Sequence, residues 1–132
     1  MRQVIDTRFF IEHFYSKDPQ VQKKTKQRLK ELTEKQEGAI PTIVLAELVK
    51  ITCEKRGREE ADLRHNSVLR SGLSVVELNS DLAREAGLLR CRYRDVPIGD
   101  CIIASVAIAT RATVLTDDPH FSKIKHVKTT WI

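Results

Sequence analysis

The sequence predicts an α/β protein, a three-layer α/β/α sandwich around a mainly parallel central sheet. Three observations carry that expectation. Short apolar or β-branched runs alternate with longer helical segments along the whole chain. One segment, residues 101–109, is apolar on nearly every side, as a helix buried inside a fold must be. Acids follow the first and the fourth apolar run, at Asp6 and at Asp117 and Asp118. In parallel sheets the sites lie at those carboxyl ends.

Length and composition set the frame. A chain of 132 residues has the size of one domain and is read as a single one, residues 1–132. Its 41% hydrophobic and 31% charged residues exclude a disordered chain. No apolar run nears the ~20 residues that span a bilayer. Asp6 interrupts the N-terminal segment where a signal peptide would carry its apolar core. The expectation is a cytoplasmic protein without membrane contact. Cys53, Cys91 and Cys101 form no paired motif, which removes a zinc knuckle or a thioredoxin-type site. Cys53 and Cys101 fall in apolar helical segments and are read as small hydrophobes. The formal net charge of +5 suits either plain solubility or attraction to a polyanion.

The elements follow in order. Val4 and Ile5 form a short buried strand ending at Asp6. Phe9, Phe10, Ile11 and Phe14 mark the first helix, for which Asp6 is a possible N-cap. Asp18 and Pro19 open a second helix to about residue 36. It is rich in Lys and read as a solvated surface helix. Gly38 ends it, and Ala39 and Ile40 form the second strand. The third helix, about 43–55, is apolar except for a narrow sector holding Glu47, Lys50 and Glu54. That sector is either a thin solvent stripe with ion pairs or a Glu aimed at a polar site. A polar helix (58–70), a strand (73–78) and a helix to about 94 follow. Leu82, Ala86, Leu89 and Tyr93 form the inner face of that helix, and residues 95–99 are a loop. The buried helix comes next, with Asp100 where it should begin, and then a strand at Thr113, Val114 and Leu115. Asp118 and Pro119 start a short turn with Phe121 packing inward, and residues 127–131 are the last strand.

Asp6, Glu47, Asp100 and Asp118, with Asp117 beside the last, are the candidate site residues. Each has a plainer reading, a helix cap for the aspartates and a surface ion pair for Glu47. Four such acids reaching one sheet edge by chance is the weaker account. His120 is read as a turn histidine, with a role as an acid or a phosphate contact as the alternative. His13, His65 and His126 show no ligand spacing.

These residues together resemble the PIN domain, and most closely its toxin-type ribonucleases, called VapC. Ile5, Asp6 and Thr7 resemble the family's first strand and acid. Ala46, Glu47 and Leu48 resemble its helical acid, and residues 99–104, Gly-Asp-Cys-Ile-Ile-Ala, its third. Residues 115–121, Leu-Thr-Asp-Asp-Pro-His-Phe, resemble the closing T-x-D-x-x-F motif. The match runs in order over essentially the whole chain. Two positions depart from the pattern. Arg8 stands where a small polar residue is usual, and it would either contact phosphates or partly neutralise the site. Cys101 replaces the usual Ala, a change of no expected consequence.

The resemblance implies an endoribonuclease dependent on Mg2+ or Mn2+, hard cations that take oxygen ligands. Asp6, Asp100 and Asp118 are then the ligands, directly or through water. Glu47 holds a second ion or orients the water, and Thr116 donates a hydrogen bond to a ligand carboxylate. Asp117, Thr7 and Arg8 are possible supporting residues. The implied partners are an RNA substrate, a second copy in a homodimer, and a VapB-like antitoxin that caps the acidic pocket. A phosphatase or phosphoacceptor on a doubly wound sheet fits less well: position 8 is Arg, not the second Asp of a D-x-D. A PIN-like module that processes RNA, or binds RNA or protein without cutting, is the remaining alternative, kept alive by Arg8.

Overall fold

The computed structural model describes residues 2–132. Its five strands are β1 (Gln3–Ile5), β2 (Gly38–Pro41), β3 (Ser74–Val76), β4 (Thr113–Leu115) and β5 (Thr129–Thr130). They form one sheet in the order β3-β2-β1-β4-β5, and each neighbouring pair is parallel. The helices are α1 (Thr7–Tyr15), α2 (Pro19–Glu34), α3 (Thr42–Arg56), α4 (Arg58–Leu69), α5 (Ser80–Arg92) and α6 (Ile98–Thr110). A 3-10 turn, Pro119–Lys123, follows β4.

The central strands explain their own composition. Val4, Ile5, Val114 and Leu115 are each 0% exposed, so β1 and β4 read as continuous apolar runs rather than alternating ones. The chain moves from β1 to β2 to β3 in one direction, then returns across the sheet to β4. Parallel crossovers are right-handed. The reversal therefore puts α1 to α4 on one face and α5 and α6 on the other, which makes the three layers. The strand order reverses between β1 and β4, and a crevice opens at their carboxyl ends.

α6 is the buried helix of the fold. Residues Gly99 to Ala107 are all buried along it. It starts at Ile98, three residues earlier than the sequence suggests, because Pro97 takes the extended backbone of an N-cap and its carbonyl accepts from Cys101 N. Asp100 consequently sits in the first turn and is not the cap. β3 and β5 are shorter than expected, β3 being an edge strand with Ser74 and Val75 exposed. Cys101 is buried as expected, but Cys53 is exposed, with Thr52 taking the inward position on α3. Among the described residues no helix is long and apolar enough to cross a membrane.

Candidate active site

Sheet register builds the first part of the site. Gln3, Val4 and Ile5 pair with Thr113, Val114 and Leu115. The next residues, Asp6 and Thr116, leave the two strands side by side. Asp6 N donates to Leu115 O, and Thr116 Oγ1 donates to Asp6 Oδ2 at 2.7 Å. Thr116 Oγ1 also accepts from Asp118 N at 3.0 Å. One hydroxyl thus ties the acid after β1 to the acid after β4.

Two helix starts reuse those acids as caps. Asp6 caps α1, its Oδ1 accepting from Thr7 N at 2.7 Å. Asp118 caps the 3-10 turn, its Oδ1 accepting from His120 N at 2.9 Å. Capping satisfies an orphan backbone donor and leaves other lone pairs of each carboxylate available.

Glu47 arrives from α3. Lys50 pairs with Glu54 at 2.9 Å, so the narrow polar sector divides: that pair faces solvent while Glu47 turns inward. Thr7 Oγ1 donates to Glu47 Oε1 at 2.7 Å. The first turn of α6 lies against the same carboxylate. A Cβ on Gly99 would come within 3.0 Å of Glu47 Oε2. Glycine there permits the close approach that sets Asp100, the next residue, beside the other acids.

Asp6, Glu47, Asp100 and Asp118 all line one cleft of about 400 Å³. Ile11 and Ile51 form apolar walls, and Lys55 lies further along it. The cluster is electrostatically crowded. Burial pushes the Asp6 carboxyl up from an ordinary 3.8 to about 6, against the hydrogen bonds from Thr116 and Thr7, with Glu47 and Asp118 adding repulsion. Burial pushes Asp100 up to about 7, assisted by the charges of Asp118 and Asp6. Among the described residues no Lys or Arg pairs with any of these four acids. Arg8, which also lines the cleft, instead engages both oxygens of Asp117 in a two-bond ion pair. Asp117 is therefore occupied by Arg8, which makes no ion pair with the four acids although its charge is felt by Asp118 and Asp6.

One residue was undervalued in the sequence. His120 reaches back over the cluster, with Nδ1 2.8 Å from Asp118 Oδ1 and 3.4 Å from Asp100 Oδ2. Asp100, Asp118 and His120 each offer an atom within 4.8 Å of the others, close enough to share one ion. The D-x-H spacing in the turn after β4 was the available signal.

The model of the PIN domain family matches residues 4–127. The chain belongs to the PIN domain family. This PIN domain also shares its fold with solved structures of VapC type. VapBC2 from Rickettsia felis, solved with a DNA fragment from its promoter, aligns with a TM-score of 0.79 at 22% identity, covering 99% of this chain and 98% of that one. A toxin-antitoxin complex from Klebsiella pneumoniae aligns at 0.69 and 22% identity, covering 98% and 99%. VapC20 of Mycobacterium tuberculosis, a toxin that cleaves the sarcin-ricin loop, aligns at 0.72 and 18% identity, covering 96% and 98%. No curated protein matches the chain in sequence.

Proposed function

We propose that this PIN domain is a Mg2+- or Mn2+-dependent endoribonuclease of VapC type, acting in the cytoplasm and restrained by a VapB-like antitoxin. The observation that carries the reading is the convergence of Asp6, Glu47, Asp100 and Asp118 in one cleft where, among the described residues, no Lys or Arg forms an ion pair with any of them. Buried carboxylates that hold protons to about 6 and about 7 are short of a counter-charge. A hard divalent cation supplies one, and the oxygen-rich donor set suits it. Bound there, the ion would acidify a coordinated water and neutralise charge developing on a phosphate.

The chain's own residues have distinct parts in this reading. Asp6, Asp100 and Asp118 hold the ion directly or through water. Thr116 fixes the facing angles of Asp6 and Asp118 through its two hydrogen bonds. Thr7 holds one oxygen of Glu47, leaving the other to orient the attacking water or to meet a second ion. A basic excess of five charges draws the RNA polyanion toward a pocket that is itself acidic. The same acidity suits an antitoxin that inserts a basic side chain in place of the ion. Arg8 was the argument for a module that binds without cutting, and its engagement by Asp117 weakens that argument.

The test is cleavage of a mixed pool of structured and single-stranded RNA by purified protein with Mn2+ or Mg2+, against EDTA and Asp100→Asn. Metal-dependent cleavage lost in the variant is the expected result. A folded protein that binds Mn2+ yet cuts no RNA would sink the nuclease reading. The homodimer is tested by light scattering after size exclusion, where a mass near the 15.1 kDa of one chain would refute it.

A further inference from the structure

We propose that His120 is a direct ligand of the divalent ion, so that the centre is a mixed carboxylate–imidazole site selecting Mn2+ over Mg2+. The inference rests on the metal-dependent reading above and adds a residue to it.

The argument begins with an orphaned atom. His120 Nδ1 is buried and makes no hydrogen bond. Its 2.8 Å separation from Asp118 Oδ1 has the length of a hydrogen bond but not the direction. A buried ring nitrogen without a partner is unfavourable unless something else occupies its lone pair. The two carboxylate oxygens beside it are at 2.8 Å and 3.4 Å. Adjacent ligands on an octahedron with bonds of about 2.1 Å are about 3.0 Å apart, between those two separations. The ring nitrogen is thus already spaced from each oxygen as a neighbouring ligand of one ion, and all three residues offer atoms within 4.8 Å of one another.

The backbone prepares the position. Asp118 accepts from His120 N while capping the turn, which folds residue 120 back toward residue 118. His120 is the residue of this turn whose side chain faces the acids, since Phe121 is committed to the core at 0% exposure.

Imidazole changes which ion is preferred. Mg2+ favours oxygen and water, whereas nitrogen ligands raise affinity along the transition series from Mn2+ onward. With a ring nitrogen in the set, Mn2+ binds at least tenfold more tightly than Mg2+. Replacing His120 with Ala removes most of that advantage and leaves Mg2+ affinity nearly as it was.

Two measurements test this. Calorimetric titration of wild type and His120→Ala with Mn2+ and with Mg2+ gives the selectivity ratio. Pulsed electron paramagnetic resonance of Mn2+ bound to the wild type reports nitrogen coupling from a coordinated imidazole and needs no variant to fold. Expected are nitrogen modulation in the wild type, its loss in His120→Ala, and a Mn2+/Mg2+ ratio that falls about tenfold. Mn2+ bound without nitrogen coupling, or a ratio unchanged by the substitution, overturns this inference alone. A folded wild type that binds neither ion overturns it together with the metal-dependent reading.

Discussion

Removing one negative charge from the cleft should stabilise the metal-free protein, and the size of the gain follows from Asp100. Its side chain is 12% exposed and its carboxyl is lifted from 3.8 to about 7, first by burial and then by Asp118 and Asp6. In the unfolded chain it keeps its ordinary affinity for protons. The native state therefore binds more protons than the unfolded state between those two values, and its stability falls as pH rises through that window. At ~1.4 kcal/mol for each tenfold difference in proton affinity, the loss has a ceiling of about 4 kcal/mol above pH ~7. Asp100→Asn cannot ionise and escapes it. The wild type and the variant should melt at similar temperatures near pH 4 in EDTA. By pH 8 the variant should melt higher, by up to ~10 °C for a chain of this size. The assay is thermal unfolding followed by circular dichroism across that range. Mn2+ should narrow the gap at pH 8 and close it near 1,000 times its Kd, since a bound ion adds about 2.7 kcal/mol at 100 times its Kd and about 4 kcal/mol at 1,000 times. Parallel melting curves at every pH, or a variant less stable than wild type at pH 8 without metal, would refute the crowding argument.

Further outcomes follow from the same geometry. Gly99→Ala places a Cβ within 3.0 Å of Glu47 Oε2; RNA cleavage should fall while the melting temperature holds or rises, since Ala favours a helix over Gly by about 1 kcal/mol. Cleavage equal to wild type would show that Glu47 moves aside at no cost. Thr116→Val removes the donor to Asp6 and the acceptor for Asp118 N, so denaturant titration should show a loss of about 1–3 kcal/mol, with Thr116→Ser close to wild type. Arg8→Ala breaks an exposed pair with Asp117 and should cost less than about 1 kcal/mol in the same titration. Its cleavage rate should stay within a few-fold of wild type; a large rise would mean that Arg8 restrains the site after all.

The sheet and most of the site were legible because each rests on a local signal. Apolar runs at Val4 and Ile5 and at Val114 and Leu115 mark strands buried on both faces, and an acid directly after such a run must emerge at its carboxyl end. What the sequence left open required contacts between distant residues. Whether Glu47 pairs with Lys50 or turns inward depends on Thr7, forty positions away. The start of α6 was misplaced because residues 95–99 read as a loop, whereas Pro97 caps the helix and Gly99 lies in its first turn, close against Glu47. Arg8 was open between phosphate contact and neutralisation, and Asp117, 109 residues on, takes it up. His120 was undervalued because a histidine beside a proline in a turn has no periodicity to mark which way it faces.

The pairing of β1 with β4 carries a consequence for lifetime. Asp6 hangs directly from the most buried strands, its N–H bonded to Leu115 O, and Thr116 ties Asp118 to it. Amides there exchange with solvent only when the whole domain opens. An ion gripped through Asp6 is therefore coupled to global opening, and its arrival should slow hydrogen exchange throughout the core. The divalent-ion level around the protein then sets two things together: whether the cleft is armed, and how long each folded molecule survives a protease.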